Sequence, residues 1–299
     1  MFVIIGIVVV IGSILGGYLM EHGIIKLLIQ PAELLIIGGA AIGTLLIANP
    51  LHVLKAIGGG VAGAFGSSKY GKEKYLETLK MLYELLGRAR KEGLMVLEAD
   101  SDNPEQSPVF SNYPNFLKDH HALAFVCDTI RMASGGGVEP LDVDQMMELD
   151  MDTHHHDKNL PIASLSTVAD SLPGLGIVAA VLGVVITMGA LGGPPEELGR
   201  KVAAALVGTF LGILLCYGFV GPLAANMAKT VEEEHAYYHV LRIVLVSFMK
   251  GTAPTVAVEF ARRAIPGHIR PTFQEVEGHI KNRAPEAAVE AAPAAEAAA

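Results

Sequence analysis

The chain has 299 residues, of which 51% are hydrophobic and 18% are charged, and its mean hydropathy is +0.43. This composition is too apolar for an ordinary soluble domain and too charged for a protein that lies wholly in lipid, so we expect a membrane part and a sizeable aqueous part. The net charge of -9 argues against nucleic acid as a partner.

Four uncharged apolar runs predict membrane spans, at residues 2–19, 34–48, 172–191 and 202–220. An α-helix rises about 1.5 Å per residue, so about 20 apolar residues cross about 30 Å of hydrocarbon. The second run is the shortest. The first resembles a signal sequence but lacks a basic start, and a second run follows closely, so we expect it to be retained.

Basic residues predict the orientation. Residues 51–170 contain eleven Lys and Arg, whereas the link between the first two runs contains only Lys26. The positive-inside rule then places both termini and residues 51–170 in the cytoplasm. The predicted organisation is spans one and two in 1–50, a cytoplasmic helical domain in 51–170, spans three and four in 171–222, a cytoplasmic C-terminal helical region in 223–281 and a disordered Ala/Glu/Pro tail in 282–299.

The cytoplasmic part has helical patterns. Apolar residues recur on one stripe of a helix that starts near residue 72 and ends at Gly93. A second pattern covers residues 115–137, a third begins at Pro140 and feeds the third span, and a fourth covers residues 222–251. No segment alternates with period two, so the predicted fold class is an all-α membrane protein with four transmembrane helices and a large helical cytoplasmic domain.

Spans three and four are rich in small residues, which let helices approach closely in lipid. Two interpretations stay open: tight packing within one subunit, or a smooth wall that faces a moving partner helix. The residues in question are Gly176, Ala180 and Gly183 in span three, and Ala204, Gly208 and Gly212 in span four.

Two prolines and two threonines in these spans are candidates for function. Pro173 and Pro222 are either simple helix-end residues or a hinge at the same membrane depth. Thr187 and Thr209 either bond back to their own helix or face a water-filled path.

Other features of the sequence exclude function classes. No nucleotide-binding or hydrolase motif is present, so we expect neither an enzyme nor a cofactor. The run THHHD, with His154, His155 and His156, is interpreted as a solvated helix rather than a metal site, and the role of these histidines stays open. Because the predicted spans contain no ionisable residue, any ion path requires a carboxylate from another chain.

Several motifs in order resemble the MotA family of flagellar stator subunits, within the MotA/TolQ/ExbB proton-channel superfamily. The resemblance covers about residues 1–280. It includes "GGYLMEHG", "QPAELLIIGGAAIG", "EKYLETLKMLYELLGRARKEGLMVLEADSDNP", "ADSLPGLGIVAAVLGVV", "LVGTFLGILLCYGFVGPLA" and "APTVAVEFARR".

The resemblance implies a multi-pass protein of the bacterial inner membrane that assembles as a homopentamer around a dimer of a MotB-type, single-span partner. That partner supplies the ion-binding aspartate, and ion flow is converted into torque on the rotor. The resemblance assigns conformational coupling to Pro173 and Pro222, the ion pathway to Thr209, and docking on the rotor switch protein FliG to Arg88, Arg90 and Glu98.

The predicted coupling ion is the proton. Sodium-driven relatives carry a threonine seven residues after the span-three proline, where this chain has Ala180 with no side-chain oxygen. The alternatives are an ExbB/TolQ-like subunit that energises outer-membrane processes, disfavoured by the paired N-terminal spans, and a structural membrane scaffold without ion dependence.

Overall fold

The computed structural model describes residues 2–66, 68–189 and 191–281, and every regular element in these ranges is helical. The disordered tail predicted for residues 282–299 lies outside the described residues. The described chain divides into two compact units. The first unit comprises residues 2–66, 68, 152–189 and 191–233, and the second comprises residues 69–151 and 234–281.

The first unit contains the apolar helices. Four helical stretches are long and apolar enough to cross a membrane, namely Phe2–Met20, Ile25–Ala48, Pro140–Met188 and Pro195–Met249, so the all-α prediction with four membrane helices is confirmed. The elements of this unit are α1 (Phe2–Met20), α2 (Ile25–Leu28), α3 (Pro31–Ala48), α4 (Leu51–Ala64), residues 152–188 of α9 (Pro140–Met188), α10 (Pro195–Leu214), a π-helical segment (Leu215–Val220) and residues 221–233 of α11 (Gly221–Met249).

Apolar contacts hold α3 against α9 in this unit. Ile37 and Ala41 of α3 share one buried cluster with Ala169, Leu172 and Ala179 of α9. A second cluster joins α4 to α9 and α11. In contrast, α1 has no buried residue, so its side chains are available to lipid or to another protein.

The second unit packs short helices around an apolar centre. The predicted stripe of Tyr75, Leu79, Leu82 and Leu86 is buried there, and its helix ends where Gly93 has a φ of +92°, a conformation that glycine adopts without strain. The elements are α5 (Lys72–Glu92), α6 (Met95–Asp102), 3-10 turns at Pro104–Gln106 and Phe110–Asn112, α7 (Pro114–Leu117), α8 (His120–Ser134), residues 140–151 of α9, residues 234–249 of α11, α12 (Pro254–Ala264) and α13 (Phe273–Lys281).

Two predicted helix boundaries were wrong. The continuous helix predicted over residues 115–137 is interrupted at Asp119, because this side chain accepts a hydrogen bond from the Ala122 amide at 3.4 Å and so caps a new helix. Pro173 does not open a helix either. It lies inside the 49-residue helix α9, which also contains Pro161.

Candidate ion pathway and docking surface

Helices α9 and α10 approach so closely that glycine is required on both. A Cβ atom added to Gly176 would lie 2.8 Å from the Gly208 carbonyl oxygen and 3.1 Å from the Gly212 Cα. A Cβ on Gly212 would lie 2.5 Å from the Leu172 carbonyl oxygen. The interpretation of the small residues as tight packing within one subunit is therefore confirmed for these positions.

A carboxylate lies against this glycine contact. Glu33, in the first turn of α3, is only 7% exposed. Its Oε2 lies 2.7 Å from the position of a Cβ on Gly208, and its Oε1 lies 3.6 Å from that of a Cβ on Gly183. Among the described residues, Oε2 has no hydrogen-bond partner.

The predicted spans themselves contain no ionisable residue, but helix α3 places Glu33 one residue before the second of them. The hydropathy run begins at Leu34, so Glu33 was assigned to the link between spans. The helix instead begins at Pro31, three residues earlier, and belongs to an apolar stretch that extends from Ile25 to Ala48. Proline at the first helical position is a standard signal for a helix start, and it could have brought Glu33 into the span.

The two threonines behave differently. The Thr187 hydroxyl donates to the Gly183 carbonyl oxygen at 2.7 Å, the usual behaviour of a threonine in a membrane helix. Thr209 follows Gly208 on α10, is partly exposed, and within the described ranges its hydroxyl makes no hydrogen bond to another residue. Ala180 lies opposite, because its amide nitrogen is 3.3 Å from a Cβ position on Gly208.

Pro173 and Pro222, to which the resemblance assigns conformational coupling, both lie inside helical segments. Pro173 lacks the amide hydrogen that would donate to the Ala169 carbonyl in an α-helix, and Pro222 likewise has no amide hydrogen to donate. Pro222 lies next to a change of helix type, because Leu215–Val220, directly before Gly221, is π-helical. π-helical turns are rare and absorb irregularities in the hydrogen-bond ladder, so the chain departs from regular α-helix directly before Pro222, whereas α9 stays α-helical through Pro173.

The predicted docking residues fall into two groups. Arg90 and Glu98, on α5 and α6, are exposed, and neither forms an ion pair in the described part of the chain. Arg88 instead donates from Nη1 to both carboxylate oxygens of Asp100 at 3.0 and 2.9 Å, and Asp100 is buried. Arg88 thus connects α5 to α6 through an ion pair, close to the exposed Arg90 and Glu98 on the same two helices.

The histidines and cysteines are also possible metal ligands or nucleophiles. His155 lies 3.5 Å from Glu232, and the described residues contain no group of His, Cys, Asp and Glu that could hold a metal ion. Cys127 and Cys216 are buried, free thiols. Burial raises the pKa of the Cys127 thiol to about 11, so this thiol is not a nucleophile at neutral pH.

Comparisons with known proteins agree with this architecture. The family described as "Motility protein A N-terminal" matches residues 4–93, and the MotA/TolQ/ExbB proton channel family matches residues 118–239. These are families of channel and motility proteins rather than of enzymes.

Characterised relatives match over nearly the full chain. The chain is 40% identical to Motility protein A of Salmonella typhimurium over 281 residues, which cover 94% of this chain and 95% of the relative. The identity to Motility protein A of Escherichia coli is also 40%, with the same coverage. Chemotaxis protein LafT of Vibrio parahaemolyticus is 36% identical and covers 91% of this chain and 95% of its own.

Two solved structures share the fold. The structure of C. jejuni MotAB matches with a TM-score of 0.74 at 18% identity, covering 91% of this chain and 98% of the other. The flagellar MotAB stator complex of Bacillus subtilis matches with a TM-score of 0.71 at 24% identity, covering 89% and 96%. Together with the identity to curated relatives, these matches show that the chain belongs to the Motility protein A family, the stator subunits of the bacterial flagellar motor.

Proposed function

We propose that this chain assembles with a MotB-type, single-span partner into a stator unit that conducts protons and turns their flow into torque on the flagellar rotor. One observation carries the proposed pathway: beside the glycine contacts of α9 and α10, the Thr209 hydroxyl has no hydrogen-bond partner among the described residues. Such a hydroxyl can relay a proton to a carboxylate that a partner helix brings close.

The exposed apolar surface supports an assembly. Helix α1 has no buried residue, and α9 leaves Ile177, Val181 and Val185 more than half exposed. A single copy in lipid could leave such faces to acyl chains, but a path for ions must be closed off from lipid by protein. We assign this role to further copies, five in total, around the partner, as the relation to MotAB complexes suggests.

The distribution of charge supports the location. Lys26 is the only basic residue between the first two spans, whereas the segments that follow span two and span four contain many. We therefore place the protein in the bacterial inner membrane, with both termini in the cytoplasm.

The coupling ion follows from the ligands in the pathway. Sodium needs several oxygen ligands to replace its hydration shell, whereas a proton needs only a carboxylate and a relay. Ala180 contributes no side-chain oxygen, so α9 and α10 offer Thr209 as the one described hydroxyl at this level. We expect swimming speed to be independent of external sodium at fixed pH and to vanish with a protonophore. A speed that rises with sodium and survives the protonophore would show that sodium is the coupling ion.

We further propose that Arg90 and Glu98 dock on the rotor protein FliG. Both are exposed and form no ion pair in the described ranges, as suits a docking residue, and complementary charges on a partner set the strength and register of an encounter. Arg90→Glu should reduce torque while leaving the amount of assembled complex unchanged, and a compensating charge reversal on FliG should restore it.

The matched control is Lys91→Glu, which makes the same change in charge at the next exposed position, about 100° around the helix. Equal losses of torque in the two variants would indicate a general charge effect. An unchanged torque in Arg90→Glu at low ionic strength and high load would remove Arg90 from the docking surface.

A further inference from the structure

The buried Glu33 carboxylate is the feature that the mechanism above leaves unused. An unpaired carboxylate in an apolar surrounding is costly, because the lost hydration is not replaced. Glu33 is 7% exposed and its Oε2 has no hydrogen-bond partner in the described residues. A bound cation, of which a proton is the smallest, removes this cost.

The position of Glu33 relates it to the proposed ion pathway. Its two oxygens lie at Gly208 of α10 and Gly183 of α9, and Thr209 is the next residue after Gly208. Gly183 lies five residues before the end of α9, about 8 Å along the helix axis, so the carboxylate is inside the span and close to the α9–α10 connection. In the proposed orientation this is the outer side of the membrane.

The charged groups on the neighbouring helices do not neutralise Glu33. Residues 171–188 of α9 contain no ionisable side chain. Lys201 of α10 pairs with Glu197 at 3.1 Å, and the other charged groups on the packed elements are Lys26 of α2 and Glu196 and Arg200 of α10. None of these forms an ion pair with Glu33 within the described ranges.

We propose that Glu33 is a proton-binding group that this chain itself supplies on the outer side of the ion pathway. The carboxylate takes a proton from hydronium in the pathway, which leaves water and a neutral carboxyl, and it later returns the proton to water. Gly208 makes room for the carboxylate at the α9–α10 contact, because a Cβ at this position would lie 2.7 Å from Oε2. This inference rests on the proposed pathway and adds a second acidic group to that of the partner.

The test uses the complete stator complex with its partner. Dicyclohexylcarbodiimide reacts with protonated carboxyl groups in apolar surroundings and leaves a stable adduct that mass spectrometry locates. We expect an adduct on Glu33 that increases as pH falls. The exposed Glu21 is the control and should stay unmodified. An absence of adduct on Glu33 at every pH, or labelling that does not depend on pH, would overturn the proposal.

Variants separate proton binding from packing. Glu33→Gln keeps the shape and should assemble normally, yet it should lose the adduct, lower proton flux into liposomes several-fold and change the pH dependence of motor speed. Gly208→Ala provides a second variant, because its Cβ would lie 2.7 Å from Oε2 and displace the flexible carboxylate. The Gly208→Ala variant should therefore reduce labelling of Glu33 although the glutamate itself is still present.

The same flux assay distinguishes failure of this inference from failure of the pathway. Neutralising the partner's membrane carboxylate should abolish flux. If it does so while Glu33→Gln leaves flux and the pH profile unchanged, Glu33 is a packing residue and the pathway stands. If flux persists without the partner's carboxylate, the proposed pathway itself fails.

Discussion

The contact between α9 and α10 allows a sharp test through one methyl group, in Gly212→Ala. The new Cβ would lie 2.5 Å from the Leu172 carbonyl oxygen and 2.9 Å from the Gly176 Cα. Ordinary van der Waals contacts of a Cβ begin near 3.4 Å, so the overlap with backbone approaches 1 Å. Because both obstacles are backbone atoms, the helices must separate.

The expected cost combines two opposing effects. Overpacking a tight contact costs about 1–3 kcal/mol. Alanine gains about 1 kcal/mol over glycine in a water-exposed helix, which offsets part of this. We therefore expect Gly212→Ala to lower the stability of the first unit by up to about 2 kcal/mol and to widen the α9–α10 contact.

The matched control lies on the same helix. Gly199 of α10 is exposed, and no atom lies within 4 Å of its added Cβ. Gly199→Ala should leave the melting temperature of the purified complex unchanged or slightly higher, whereas Gly212→Ala should lower it. Equal melting temperatures for the two variants would refute the argument that backbone contact makes glycine necessary at position 212.

Three further predictions concern other parts of the chain. Pro173→Ala restores a backbone donor inside α9, so the complex should assemble but rotate poorly, whereas Pro161→Ala in the same helix should retain most of its swimming speed in a tethered-cell assay. Arg88→Ala should lower the free energy of unfolding in chemical denaturation by about 3 kcal/mol, because it leaves Asp100 buried and unpaired; the same change at Arg90 should cost less than about 0.5 kcal/mol. Glu259→Gln should lower the free energy of unfolding by about 2 kcal/mol at neutral pH, because two arginines hold the pKa of Glu259 at about 2. In denaturation experiments at different pH, this difference from wild type should shrink as pH falls from about 4.5 to about 2.

The direction of the last effect follows from proton linkage. Arg262 donates from Nε and Nη2 to the two oxygens of Glu259 at 2.7 and 2.8 Å, and Arg263 adds a third bond at 2.8 Å. The charged carboxylate is therefore stabilised in the folded chain, and its pKa lies below that in the unfolded chain. Such a group stabilises the fold above the unfolded pKa and loses this effect at lower pH.

The sequence predicts features that depend on local chemistry and misses those that depend on distant neighbours. The helix of residues 72–92 is predictable because its apolar stripe and Gly93 are local signals. The role of Arg88 is not, because its partner Asp100 lies on the next helix. Similarly, the different hydrogen bonding of Thr187 and Thr209 has no sequence signature, since both are threonines in uncharged apolar runs.

Glu33 illustrates how a hydropathy boundary can conceal chemistry. A single carboxylate that precedes an apolar run is readily assigned to the link between spans, yet the helix that contains this run begins at Pro31, two residues before Glu33. The packing explains the position of the side chain, because a Cβ at position 208 would lie 2.7 Å from Oε2, whereas the glycine there leaves room for the carboxylate. Small residues in these spans therefore do two things at once. They bring the helices together, and they admit a carboxylate from α3 to the place where the proposed pathway needs one.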